Sequence, residues 1–368
     1  MKVLHVAGAR PNFMKVAPVL RALEERRVRN LLVHTGQHYD VSMSAAFFDD
    51  LGLPPPDVHL EVGSGSHATQ TARIMERIEP VLAEERPDLT MVVGDVNSTL
   101  AAAIVCAKLR LPVAHVEAGL RSFDRTMPEE INRVLTDQLS DLLFTTSPEA
   151  EENLRREGVR AERVHFVGNP MIDSLERHLG RARESKIVEQ LGLSAEGYAL
   201  VTLHRPSNVD APETLAGILS ALADVARVIP VIFPVHPRTV KMMSAHGLER
   251  LVTLDAGVAR AGVVTCIEPV GYVDFLRLMA DARVALTDSG GIQEETTILG
   301  VPCLTIRENT ERPITVEMGT NKLVGTDPEL IRREALHAIR GEKPKATRPP
   351  LWDGKAGERI AEVIVAWR

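Results

Sequence analysis

Carboxylates, histidines and basic residues recur in this chain beside glycine, where an apolar run gives way to a stretch of helical period. Asp95 closes Val92-Val93-Gly94-Asp95, Glu117 closes Ala114-His115-Val116-Glu117, and Glu129 and Glu130 open a helix after Met127-Pro128. Carboxylates gathered in one place can divide acid and base roles through shifted pKa values. Each also has a plain structural reading. Asp95 can cap a loop, Glu117 can partner Arg121, and the Glu pair can favour a helix dipole. Glu117 resists that reading best, because burying an unpaired carboxylate at the end of PVAHVE is costly.

A second set of motifs suits anions. Gly8-Ala9-Arg10-Pro11-Asn12-Phe13-Met14-Lys15 places a turn-forming Gly and two cations, Arg10 and Lys15, beside a helix N-terminus. It is neither a dinucleotide fingerprint nor a P-loop, and a β–α turn with surface basic residues remains the alternative. Thr287-Asp288-Ser289-Gly290-Gly291-Ile292-Gln293-Glu294-Glu295 repeats the strand, Gly turn and helix. There Ser289 can cap the helix, Gly290 and Gly291 can turn N–H groups to an anion, and Glu294 or Glu295 can reach ribose hydroxyls. A capped helix with a solvated acidic first turn is the other reading. His204 and Arg205 in LHRPSN can hold a pyrophosphate, and His236 in PVHPR is similarly placed. With no HExxH, Cys/His cluster or GxSxG, neither a metal, a cofactor nor a hydrolase triad is expected.

Such groups need strands to carry them and helices to follow. Short apolar runs at 3–7, 31–35, 89–93, 112–117, 142–146 and 164–167 read as strands buried on both faces of a parallel sheet. A second series falls at 199–203, 230–236, 263–267, 284–287 and 302–306. Helical stretches such as 16–27, 69–85, 98–109 and 129–139 lie between the first strands, and 212–228, 273–281, 292–299 and 328–339 between the second. Two runs of this alternation predict an α/β protein with two Rossmann-like domains. The division is expected at Gly168-Asn169-Pro170, giving domains 1–168 and 169–352, with a last helix in 353–368 returning to the first. Ligands should bind beyond the carboxyl ends of the strands.

The chain has 368 residues, enough for two domains, and its 44% hydrophobic and 25% charged residues are those of a globular protein. A formal net charge of −7 and 4% aromatic residues argue against nucleic acid or an anionic membrane as partner. They leave room for one small dianion in a local basic pocket. The longest uncharged run, 96–107, is too short to span a membrane. Cys106, Cys266 and Cys303 each sit in an apolar run, which predicts reduced thiols and a cytoplasmic protein.

Together the segments GARPNFMKVAP, HTGQHYD, VVGDVNST, HVEAGLRS, MPEEINRVLTD, HRPSN, TDSGGIQEE, RENTERP and DGKAGERI resemble the non-hydrolysing UDP-N-acetylglucosamine 2-epimerases, in order and over almost the whole chain. The resemblance implies the glycosyltransferase-B-type fold, with the two domains facing across a cleft, and a homodimer. It implies interconversion of UDP-N-acetylglucosamine and UDP-N-acetylmannosamine by elimination of UDP to 2-acetamidoglucal and re-addition. By this likeness Asp95, Glu117 and Glu130 handle the C2 proton and steady the cationic transition state. Arg10, Lys15, Arg133 and His204, the last counted also as catalytic, bind the diphosphate. Ser289, Gly290 and Gly291 offer N–H groups to phosphate, Glu295 takes the ribose hydroxyls, Phe275 lies near uracil, and Arg307 and Arg312 complete the site. A hydrolysing 2-epimerase, a 2-epimerase of another UDP-2-acetamido sugar and a retaining glycosyltransferase are the rival activities. The chain reads QHYD where many members have QHR, and VHPR where they have VHLN. In those members the two segments help form a second, activating UDP-N-acetylglucosamine site, so the resemblance does not carry that activation to this chain.

Overall fold

Runs rich in Val, Leu and Ile, buried on both faces, become the central strands of two parallel sheets. The computed structural model describes residues 1–36, 48, 50–254, 258–345 and 347–367; the QHYD segment, 37–40, lies outside them. The first sheet takes β1 (Lys2–Ala7), β2 (Arg29–His34), β3 (Val58–His59), β4 (Leu89–Val93), β5 (Val113–Ala118), β6 (Leu142–Thr145) and β7 (Val164–Phe166) in the order β3-β2-β1-β4-β5-β6-β7. The second takes β8 (Ala199–Thr202), β9 (Val231–Pro234), β10 (Val252–Leu254), β11 (Val264–Ile267), β12 (Val284–Thr287), β13 (Cys303–Thr305) and β14 (Asn321–Leu323) in the order β10-β11-β9-β8-β12-β13-β14. Strand order reverses between β1 and β4 in one sheet and between β8 and β12 in the other. In open parallel sheets such reversal points are where ligands bind.

The chain divides into two units, one of Met1–Arg177 with Pro350–Arg368, the other of His178–Pro349. The boundary expected at 168–170 instead marks the start of the helix Pro170–Glu184, and the division falls inside that helix. Its first half is bound to the first unit. The Ser174 hydroxyl donates to the Met14 carbonyl, and the Asp173 carboxylate accepts from the N–H groups of Ala356 and Gly357 at 3.1 and 2.7 Å.

That last contact caps the closing helix, Ala356–Ala366, which buries Ile360 and Ile364 in the first unit beside the helix Arg10–Glu25. Gly357 permits the approach, since a Cβ there would stand 2.7 Å from the Pro18 carbonyl carbon. Just before it, Trp352 is fully buried and donates its indole N–H to the Thr146 carbonyl at 2.8 Å. Each unit has its own apolar core. Cys106 lies in the first, Cys266 in the second, and Cys303 is buried on β13 in the second unit. No helix among the described residues is long and apolar enough to cross a membrane.

Candidate functional site

In the first unit the expected acid–base residues stand at the carboxyl ends of β4 and β5, and at the start of the helix Pro128–Leu139. The end of β1 is tied to that of β4 by Asn12, whose side-chain oxygen accepts from the N–H of Ala9 at 2.9 Å while its amide donates to the Val93 carbonyl at 3.0 Å. Lys15, one turn further along the helix Arg10–Glu25, is buried and pairs with the Glu117 carboxylate. The alternative partner for Glu117, Arg121, is engaged elsewhere, by Asp137 and Glu157.

Glu117 has a backbone φ of +73°, in the left-handed region that glycine favours, and the β5–β6 pairing slips one residue at this point. Such a bulge re-aims a side chain at a strand's end, at a conformational cost that the surroundings must hold in place.

Arg133 joins the other two carboxylates. Its guanidinium donates to Asp95 Oδ2 at 2.6 Å and to Glu130 Oε2 at 2.7 Å. Glu130 also accepts from the N–H and hydroxyl of Ser122 and the N–H of Phe123. Lys15 and Arg133, expected as diphosphate ligands, are thus paired with carboxylates, while Arg10 is exposed at the helix N-terminus. Glu117 and Glu130 are buried, each against a cation, and Asp95 is half-buried. The arrangement sets three carboxylates against two cations at the mouth of β4 and β5.

The second unit carries its own cluster at the ends of β8 and β12. Asp288, fully buried just past β12, accepts from the N–H groups of His204 at 3.0 Å and Arg205 at 2.9 Å, from the Asn208 amide at 3.2 Å and from His204 Nδ1 at 3.0 Å. Burial opposes its charge, but His204 and these N–H groups outweigh burial and hold the carboxyl below its usual range. Asp288 therefore fixes the exposed His204 ring at the strand end. Sequence reasoning placed Asp288 inside a motif without giving it a task. Its signal, an acid ending an apolar strand, was the one that singled out Glu117.

Ser289 does not cap the helix Gly290–Leu299 through its side chain, contrary to expectation. Thr287 Oγ1 instead accepts the Ser289 N–H at 2.9 Å, fixing that backbone and leaving the Ser hydroxyl outside the cap. Gly290 leaves room for the Arg312 guanidinium and the Glu311 carboxylate behind it, which would have to shift to admit a Cβ there. Arg312 pairs with Glu294 and Glu311, and Arg307 Nη2 donates to Glu311 at 2.8 Å. This buried ion network backs the helix N-terminus, whose first-turn N–H groups favour an anion.

Deeper in the same helix, Glu295 accepts from the Tyr272 hydroxyl at 2.8 Å. Phe275 lies half-buried on the helix Tyr272–Ala280, one turn beyond Tyr272. His236 caps the helix Pro237–Ala245, its Nδ1 accepting the Arg238 N–H at 3.1 Å. Among the described residues no three His, Cys, Asp or Glu side chains are grouped to hold a metal ion.

The chain is similar to known proteins over almost its whole length. The family model described as UDP-N-acetylglucosamine 2-epimerase matches residues 21–365. The chain is 42% identical to a UDP-N-acetylglucosamine 2-epimerase of Methanocaldococcus jannaschii, over 99% of each chain. It is 41% identical to a UDP-2,3-diacetamido-2,3-dideoxy-D-glucuronate 2-epimerase of Pseudomonas aeruginosa, again over 99% of each. Among solved structures, a crystal structure of the Methanocaldococcus jannaschii UDP-GlcNAc 2-epimerase in complex with UDP-GlcNAc and UDP superposes with a TM-score of 0.92, at 41% identity and covering all of both chains. Each unit carries a parallel seven-stranded sheet, and the fold is of the glycosyltransferase-B type found in these neighbours. The chain belongs to the UDP-N-acetylglucosamine 2-epimerase family.

Proposed function

We propose that this protein is a non-hydrolysing isomerase that interconverts UDP-N-acetylglucosamine and UDP-N-acetylmannosamine. The observation that carries the reading is the convergence of Asp95, Glu117 and Glu130 with Lys15 and Arg133 at the reversal point of the first sheet. Three carboxylates paired with two cations provide groups that take and return one proton without a lasting change of charge.

In this reading one carboxylate removes the C2 proton as the C1–O bond breaks, and UDP departs with the electron pair of that bond. The C–H electrons form the C1=C2 double bond of 2-acetamidoglucal. Re-addition of UDP to C1 and return of a proton to the opposite face of C2 give the epimer. A C2 proton is only weakly acidic, so stabilising the departing diphosphate must supply much of the rate. Within the second unit, the Gly290–Gly291 helix start and His204 are assigned to that task. Glu295 is assigned to the ribose hydroxyls and Phe275 to the uracil side. Arg307 and Arg312 act from behind the phosphate-binding turn, through Glu311 and Glu294.

Incubation with UDP-N-acetylglucosamine in heavy water tests the proposal by proton NMR. Epimer signals with deuterium at C2 are expected, and release of free N-acetylmannosamine would instead indicate the hydrolysing reaction. Asp95→Asn and Glu117→Gln should each lower turnover at least about a hundredfold, the scale of losing an acid–base group. Near wild-type rates for both would remove the assignment. The Pseudomonas aeruginosa relative makes UDP-2,3-diacetamido-2,3-dideoxy-D-glucuronate the substrate to run beside it.

A further inference from the structure

Behind the carboxylates of the first unit lies a buried set of polar groups to which the proposed reaction assigns no part. Asp137, on the helix Pro128–Leu139, accepts through Oδ1 from His115 Nδ1 at 2.6 Å, and through Oδ2 from the Gly119 N–H at 3.1 Å and Arg121 Nη2 at 2.6 Å. His115 and Gly119 lie two residues before and two after Glu117, so one carboxylate grips both sides of the left-handed residue. The second ring nitrogen of His115, Nε2, donates to the Gly94 carbonyl at 2.8 Å, immediately before Asp95. Both His115 nitrogens therefore face acceptors, and both are satisfied only when each carries a hydrogen. The side chains of His115 and Asp137 are wholly buried and that of Arg121 nearly so, and Glu157 also pairs with Arg121.

We propose that Asp137 is a positioning residue for epimerisation: it grips the buried His115 ring and, through that ring and Gly119, fixes the turns that present Glu117 and Asp95. Burial alone would oppose ionisation of Asp137, but His115 and Arg121 outweigh it and keep the carboxyl below its usual range. The left-handed Glu117 is then not a tolerated irregularity. It is a conformation over-determined from both flanks, as strained residues at reactive sites must be.

This inference rests on the proposed epimerisation for its kinetic part and on geometry alone for its structural part. In a crystal structure of the full-length Asp137→Asn variant, the Glu117 backbone should leave the left-handed region it holds at φ +73°. A Glu117 unmoved from that conformation would overturn the proposal whether or not the protein is an epimerase. Failure of the wild type to form any epimer would instead remove the functional reading and leave the structural result standing.

For the kinetic part, Asp137→Asn keeps the shape and removes the charge. It should lower kcat roughly tenfold to a hundredfold, the effect of misplacing a reacting group, while KM and the Kd for UDP stay unchanged. His115→Gln leaves the Asp137–Arg121 pair intact and uncouples Gly94 from Asp137; it should show the same split, and it decides the question if the Asn variant does not fold. Wild-type kcat in the folded variants, or a fall in UDP binding that parallels the fall in kcat, would overturn the positioning role.

Discussion

Glu295 holds a proton far more readily than a surface carboxyl. Burial penalises its charge and Glu294 stands close by; the Tyr272 hydroxyl bond only partly offsets them, and the pKa rises to about 8. Its unfolded value is near 4.5. Between the two, the folded chain keeps a proton that the unfolded chain has lost, so stability falls as pH rises from about 4.5 through 8. Glu295→Gln, which retains the acceptor for Tyr272 and carries no charge, should flatten this part of the curve and raise Tm most above pH 8. Thermal melts across pH check it, and a difference in Tm that does not vary with pH would contradict the assignment. Individual residues were only partly legible from sequence. Glu117 stood out because an acid ends an apolar strand. That Lys15 rather than Arg121 meets it depends on the bulge at β5, and no local pattern of residues announces the bulge. Arg133 read as a phosphate ligand by likeness, and that reading did not include its ion pairs with Asp95 and Glu130.

At the scale of elements, the central strands were legible because burial on both faces leaves a run of apolar residues with no alternation. β3, β10 and β14 were not, being only two or three residues long and lying on the sheet edges or among partly exposed residues. Neither was the adjacency of β8 and β12, which are some eighty residues apart in the chain and hydrogen-bonded throughout their pairing. Asp288 acts across that adjacency, joining the end of β12 to the turn after β8. Asp288→Asn leaves buried donors without their acceptor, so it should cost the second unit about 1–3 kcal/mol. It should also weaken UDP binding by freeing His204. Calorimetry of UDP binding and of unfolding measures both effects, and unchanged values would show the strand ends to be held by other means.

At the scale of the molecule, two αβ runs and a returning tail were visible from the order of apolar stretches. The place where the chain divides was not, because the turn signal at Gly168-Asn169-Pro170 opens the helix Pro170–Glu184, inside which the division falls. Trp352, Ile360 and Ile364 bury their side chains in the first unit from the far end of the sequence. Truncation after Pro349 should therefore lower the melting temperature of the first unit steeply and spare the transition of the second. Removing several fully buried large side chains costs multiple kcal/mol. Calorimetry resolves the two transitions, and an unmoved first transition would make the tail an accessory.

The three thiols extend this separation into chemistry. Burial pushes Cys106 up to about 11, Cys266 to about 12 and Cys303 to about 11, so none is a nucleophile while the native packing lasts. One lies in the first unit and two in the second. An alkylating reagent added at neutral pH thus records opening events, and the cysteine that accumulates label first, read by peptide mass, names the unit that opens first. The chain carries its own pair of stopwatches, one for each half.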